Sequence, residues 1–241
     1  MPDVPKRQDS VVESVLSDVL SDNINMEDMV ATAEAASSSV KRYVIMLDAT
    51  GSMGSWWSAT QNAVRHALSF LESHHGAPTA IKIVAYRDRV HDDDWIQASD
   101  WSGDKEYLAN YAASIHAHGG GDMPESIDAG LEVCLNDAQQ NKVDLAILIG
   151  DAPCRPEASW QGMAQALGQA SCPVYAFYCE QGKTKEHFET IAKLSGGKSF
   201  YLGNTQSVSD ALGIIFAKNQ GLLLEYQPMS IEGQRLLEAM K

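Results

Sequence analysis

From residue 43 onward, short apolar runs rich in β-branched residues alternate with stretches of helical spacing, and this alternation restricts the fold more than any other feature. The runs fall at 43–48, 80–88, 143–150, 173–180 and 199–202. Between them, residues 55–73, 105–116, 124–140, 156–170, 185–194 and 207–219 repeat their apolar side chains at three- and four-residue intervals. Strands that are apolar on both faces, each followed by a helix, belong to a parallel sheet covered on both sides. An open, doubly wound, mostly parallel α/β domain with helices on both faces is therefore expected over residues 40–220. In such a sheet ligands bind beyond the carboxyl ends of the strands, so chemistry is expected in the loops that follow the apolar runs.

The flanks read differently. Residues 1–39 hold eight acidic and two basic side chains and almost no aromatic residue, too little apolar surface to build a core. Within this acidic tail Val12, Val15, Leu16, Val19 and Leu20 recur at helical spacing and predict a short amphipathic helix, suited to folding back on the domain or to docking on a partner. Residues 37–39, all serine, read as a linker. Residues 221–241 form a C-terminal extension in which Ile231, Leu236, Leu237 and Met240 predict a final helix. Over the whole chain 32 acidic side chains outweigh 18 basic ones, a formal charge of -14. Such a balance repels phosphate backbones and argues against nucleic acid as a partner. The longest apolar runs, 43–47 and 145–149, are too short to span a bilayer. Residues 1–10 lack the apolar stretch of a secretory signal, so no membrane association and a cytoplasmic location are expected. The four cysteines, Cys134, Cys154, Cys172 and Cys179, show no C-x-x-C spacing and read as buried thiols.

Three loops carry unusual residues. The first apolar run ends in Asp48-Ala49-Thr50-Gly51-Ser52-Met53-Gly54. A carboxylate at a buried strand end is costly unless something pairs with it, and here two hydroxyl residues follow at alternate positions. Three oxygens on one side of a loop suit a hard cation such as magnesium or manganese; the same residues also suit capping of the next helix. The second loop is His118-Gly119-Gly120-Gly121-Asp122-Met123-Pro124-Glu125. Its glycines let the backbone approach something closely, and Pro124 is expected to open a helix. The acidic charge and the missing lysine are wrong for a phosphate cradle. The third loop, Gly150-Asp151-Ala152-Pro153, puts a second carboxylate at the tip of a second buried strand. Acidic groups at three such loops, one with hydroxyls attached, favour a metal site.

With these motifs in view, the chain resembles the von Willebrand factor type A (vWA) domains. Asp48-Ala49-Thr50-Gly51-Ser52 is similar to their D-x-S/T-x-S metal-ion-dependent adhesion motif. Tyr86-Arg87-Asp88, Gly119-Gly120-Gly121-Asp122 with Pro124 and Glu125, Gly150-Asp151-Ala152-Pro153, and Ile191-Ala192 with Ser195-Gly196-Gly197 and Phe200 continue the resemblance over residues 41–219. The versions of the first two motifs look most like the branch found beside alpha-type protein kinases. These 241 residues have no room for a kinase domain, so the resemblance carries over the binding module alone. It implies a divalent cation, Mg2+ or else Mn2+ or Ca2+, held by Asp48, Thr50, Ser52, a loop-two ligand, and Asp151 directly or through water. Its open position would accept a carboxylate from a partner protein. Asp122 stands where most members have threonine, with Glu125 as the other candidate. The additional negative charge makes an acidic partner group less welcome.

Other residues are weighed beside these. Trp56 and Trp57 follow the metal loop, where a partner would dock; neighbours on a helix cannot share one core face, so one of them is expected at the surface. Glu125 is a further candidate partner contact. Trp95 and Trp101 lie in an acidic loop, 91–104, whose run Asp92-Asp93-Asp94 reads as solvated and lacks the spacing of an EF-hand. His116 and His118 have the spacing of a transition-metal pair, His74 and His75 suit a helix end, and Cys154 follows Asp151 closely with no evident base. The expected function is a non-enzymatic, metal-dependent protein-interaction module. The alternative is a magnesium-dependent phosphohydrolase of the haloacid dehalogenase type with Asp48 as nucleophile, which usually needs a second Asp where this chain has Thr50.

Overall fold

The computed structural model describes residues 40–121 and 123–241. The amphipathic run at Val12–Leu20 and the candidate ligand Asp122 lie outside the described residues. The elements are β1 (Lys41–Asp48), a 3-10 turn (Gly51–Met53), α1 (Gly54–Ser73), β2 (Thr79–Tyr86), β3 (Ile96–Ala98), α2 (Lys105–Ser114), α3 (Ile127–Gln140), β4 (Leu145–Gly150), α4 (Trp160–Gln169), β5 (Val174–Tyr178), α5 (Lys183–Ser195), β6 (Ser199–Tyr201), α6 (Ser207–Asn219) and α7 (Ile231–Met240). The strands form one sheet in the order β3-β2-β1-β4-β5-β6. All neighbours are parallel except β2 and β3. The expected doubly wound α/β architecture is present.

Side chains alternate across β1. Tyr43, Ile45 and Leu47 join one buried cluster with Leu68 and Leu71 of α1, Leu108 of α2 and Ile215 of α6. Val44 and Met46 join the other, with Leu131 of α3, Leu167 of α4 and Phe188 of α5. Each such side chain fully removed from water contributes roughly 1.5–3 kcal/mol, which is why a strand apolar at every position must lie between two helical layers. Tyr226, Leu236 and Met240, from the C-terminal 21 residues, are buried in the first cluster. Among the described residues no helix is long and apolar enough to cross a membrane.

Two local expectations are corrected. Pro124 does not open α3, which begins at Ile127. The Glu125 amide instead donates to the Pro153 carbonyl at 2.9 Å and the Arg155 amide to the Glu125 carbonyl at 3.3 Å. This bridge holds the loop extended beside the third loop and delays the helix. The stretch 91–104 also contains strand β3, paired antiparallel along the end of β2. Three residues among aspartates are too few for a readable two-residue alternation.

The chain leaves β1 toward β2 on one side and reaches β4 on the other. The crevice where a doubly wound sheet binds ligands therefore opens between the carboxyl ends of β1 and β4, at Asp48 and Asp151.

Candidate metal centre

Asp48, the last residue of β1, is fully buried. Its Oδ1 accepts the Thr50 amide at 2.8 Å and the Thr50 hydroxyl at 2.7 Å, and Thr50 Oγ1 lies 3.4 Å from Ser52 Oγ. The N-cap residue of α1 is Met53; Asp48 instead holds the Thr50 amide at the entry to the 3-10 turn. Asp48 Oδ2 is buried with no hydrogen-bond partner among the described residues. The loop is fixed from behind: Trp57 Nε1 donates to the Asp48 carbonyl at 2.8 Å and the Ala49 amide to the Tyr86 carbonyl at 2.7 Å.

The glycine loop folds over these oxygens. Gly119 and Gly120 take φ of +70° and +91°, conformations that favour glycine. A side chain at Gly120 would lie 3.3 Å from Thr50 Cβ and 3.4 Å from Glu125 Oε1. Glu125 is 3% exposed, and its Oε2 also lacks a partner among the described residues. From the far side comes Asp151, half-buried, whose carbonyl accepts the Thr184 hydroxyl at 3.1 Å. A Cβ at Gly150 would sit 2.5 Å from the Tyr86 hydroxyl and 3.4 Å from Asp48 Cβ, so the glycine lets the third loop approach the first. Together they enclose a cleft of about 410 Å³ lined by Thr50, Ser52, Gly120, Glu125, Asp151 and Glu180.

A family model, the von Willebrand factor A domain, matches residues 42–204. The chain belongs to the vWA family. Solved structures agree on the fold. The vWA protein of Catenulispora acidiphila superposes with a TM-score of 0.59 at 18% identity, over 76% of this chain and 43% of that one. Proximal thread matrix protein 1 of the mussel byssus, solved with a zinc-occupied MIDAS motif, gives 0.54 at 14% identity over 74% and 46%. A curated relative, an Acanthamoeba polyphaga mimivirus protein named for an ariadne-like RING finger, is 24% identical over 188 residues, 67% of this chain. The chain spans only 18% of that relative's length.

The donor set of this vWA domain fits a hard dication. Hydroxyl and carboxylate oxygens converge, and two buried carboxylate oxygens lack a hydrogen-bond donor. Among the described residues no three His, Cys, Asp or Glu side chains are placed to hold a metal ion by themselves; two of the loop-one donors are hydroxyls. Burial pushes the Asp48 carboxyl up to about 7, with Asp151 adding to the rise while the Thr50 bonds and Arg87 oppose it. Burial, then the charges of Asp48, Asp88 and Asp92, push Glu125 up to about 9 against the pull of Arg155. Both carboxyls keep a proton in the folded protein at pH values where the unfolded chain has released it. Their contribution to stability therefore falls as pH rises, from about 4 to about 7 for Asp48 and from about 4.5 to about 9 for Glu125. In EDTA, Glu125→Gln should lose less stability than wild type between about pH 5 and pH 9, as read by urea unfolding.

Sequence reasoning singled out Asp48, Thr50, Ser52, Glu125 and Asp151, and the vWA fold brings these together. The tryptophans separate as expected for neighbours on a helix. Trp57 is 2% exposed, so it holds the metal loop and offers no surface to a partner, whereas Trp56 is half-buried against the core. The His116 carbonyl accepts from Arg87 at 2.9 Å, and His118 Nε2 lies 3.2 Å from Asp94 Oδ1. Distant in sequence, His187 reaches Cys154, but its Nδ1 accepts the Cys154 backbone amide at 3.0 Å. Burial raises the thiol well above the usual cysteine range and lowers His187. That pair is a structural contact. All four cysteines are free thiols.

Three charged residues gained their roles only in the folded chain. Arg87 is 1% exposed and donates to the carbonyls of Ala49 at 3.2 Å, Asp94 at 2.8 Å and His116 at 2.9 Å, tying the metal loop to the two segments beside it. Asp88, fully buried, accepts Arg155 Nε at 2.7 Å and a second bond from Arg155 Nη2. The available signal was an Arg-Asp pair directly after a buried strand, where unpaired charge is costly.

Proposed function

We propose that this vWA domain is a non-enzymatic, metal-dependent protein-interaction module. Its cleft would hold Mg2+, or Mn2+ or Ca2+, through Asp48, Thr50 and Ser52, a loop-two carboxylate (Glu125 or Asp122), and Asp151 directly or through water. The observation that carries this reading is Asp48 Oδ2, buried and without a partner among the described residues, beside two hydroxyls at the switch point of the sheet. The zinc-occupied MIDAS motif of the mussel protein supports it by analogy. In this reading the cation completes the carboxylates' coordination and fixes the first two loops, and a protein partner docks over the cleft mouth. Trp56, half-buried just after the first loop, would be an aromatic contact for that partner, and the amphipathic run at Val12–Leu20 a second contact. Nucleic acid and membrane are not proposed as partners, and free thiols in an acidic chain suit the cytoplasm.

The test is a thermal melt of wild type and Asp48→Ala with EDTA, magnesium, manganese or calcium. A ligand at about a hundred times its Kd adds about 2.7 kcal/mol, a rise of about 5–10 °C in Tm for a domain this size. Wild type should rise and Asp48→Ala should not. Metal-dependent capture of a protein without turnover of a generic phosphoester distinguishes the module from a phosphohydrolase using Asp48 as nucleophile; turnover lost in Asp48→Ala would overturn it.

A further inference from the structure

Two thiols distant in the chain meet inside the second buried cluster. Cys134, on α3, and Cys172, between α4 and β5, are 38 positions apart, yet their Sγ atoms stand 3.9 Å from each other. Both are fully buried, in the cluster that also holds Leu131 of α3 and Leu167 of α4. The other two cysteines lie elsewhere, Cys154 beside His187 and Cys179 directly after β5. A disulfide bond is about 2.05 Å long, so side-chain rotation has to close a gap of about 2 Å. The way in is the turn that carries Cys172. Ala170 and Ser171 are exposed, and Ser171 takes φ of +56°, a left-handed conformation disfavoured for a residue with a side chain. Two backbone bonds hold this turn, from the Ser171 amide to the Gly168 carbonyl at 3.1 Å and from the Cys172 amide to the Leu167 carbonyl at 2.9 Å. An exposed, strained turn opens locally at less cost than the strands and helices it joins. While it is closed the pair is protected: contact with Cys172, then burial, holds the Cys134 thiol well above the usual cysteine range, where little thiolate exists to react.

We propose that Cys134 and Cys172 are a redox pair that a peroxide converts into a disulfide, stapling α3 to the start of β5. Opening of the turn admits hydrogen peroxide to Cys172, whose sulfur attacks one peroxide oxygen. An S–O bond forms, the O–O bond breaks, and the departing hydroxide leaves as water with the thiol proton. The Cys134 sulfur then attacks the Cys172 sulfenic sulfur; the S–S bond forms, the S–O bond breaks, and a second water carries away the Cys134 proton. The two sulfurs give up two electrons in all, and one peroxide becomes two waters. Two equivalents of a small thiol reverse the bond by exchange and are themselves oxidised to a disulfide.

The experiment treats the folded full chain with hydrogen peroxide, removes the oxidant, denatures the chain and counts thiols by alkylation with iodoacetamide and mass spectrometry. The untreated chain has four free thiols; the oxidised chain should show two fewer, and dithiothreitol should restore them. Cys134→Ala and Cys172→Ala, each with one thiol fewer than the four of wild type, should lose none to peroxide, and a melt of each verifies that it folds. A bond closing a loop of this length restricts the unfolded chain, so the oxidised wild type should melt about 5–10 °C higher, and dithiothreitol should abolish the rise. An unchanged thiol count overturns the proposal. So does a loss of thiols that persists in Cys134→Ala, which would assign the bond to other cysteines, or one that dithiothreitol does not reverse. A midpoint that stays or falls on oxidation also overturns it, because the native packing would then not accept the bond.

Discussion

Arg155→Met should cost about 3–5 kcal/mol of unfolding free energy, the range for breaking a buried ion pair from one side. The guanidinium is the bidentate partner of a fully buried carboxylate, Asp88, at the end of β2. Methionine fills much of the volume but takes the bidentate guanidinium from that carboxylate, leaving the Val90 amide at 3.0 Å and the His91 ring at 3.5 Å among its contacts, in a site already crowded by Glu125 and Asp92. Urea unfolding at pH 7 gives the magnitude, and the midpoint temperature should fall by about 10 °C. Joining Asp88→Asn to Arg155→Met removes the buried charge and should recover part of the loss. A loss below about 1 kcal/mol would place the pair with surface salt bridges and would deny it any role in joining the end of β2 to the segment after the third loop.

Asp210→Ala should destabilise the domain by about 3–5 kcal/mol, through a different device. Asp210 sits fully buried in the first turns of α6. Its Oδ1 accepts the Tyr226 hydroxyl at 3.2 Å and the Met229 amide at 2.8 Å. Its Oδ2 accepts the Ser230 amide at 2.9 Å and the Ser230 hydroxyl at 2.5 Å. Ser230 in turn caps α7 by accepting the Gly233 amide at 2.9 Å, and a Cβ at Gly233 would fall 2.2 Å from Asp210 Oδ2. Alanine strands several donors at once, each costing about 1–3 kcal/mol when left buried. The full sum is not expected because the C-terminal segment can detach and let water reach them. That detachment is the second readout: limited proteolysis should clip residues 221–241 faster in Asp210→Ala than in wild type. An unchanged unfolding midpoint together with unchanged proteolysis would show that the apolar contacts of Tyr226, Leu236 and Met240 hold α7 without the carboxylate.

The two carboxylates mark where sequence reading stops. Asp48 was legible because a buried strand, two hydroxyls and two glycines surround it within seven residues. The charged partner of Asp88, Arg155, lies 67 positions away and the partners of Asp210 lie 16–20 away; the Arg-Asp pair after β2 signals that some partner is needed, but nothing local says which. The same limit hid strand β3, whose pairing lies with β2, and the loop bridge that moves the start of α3 past Pro124. Glu125 was visible as a candidate, but its burial beside Thr50 depends on how the glycine loop folds across from loop one.

The sequence by itself determined the class of fold, the carboxyl ends of the strands as the place for chemistry, and the oxygen donors of the first loop. Those follow from periodicity and spacing, which act within one turn or one strand. Tertiary structure alone decided that Trp57 supports the metal loop while Trp56 keeps some surface, that Arg87 and the Asp88–Arg155 pair clamp the loops, and that the C-terminal helix is pinned through Asp210. A buried charge or an indole N–H must find a partner wherever the fold supplies one, and that partner is set by the packing of the sheet and its helices, not by the neighbouring residues in the chain.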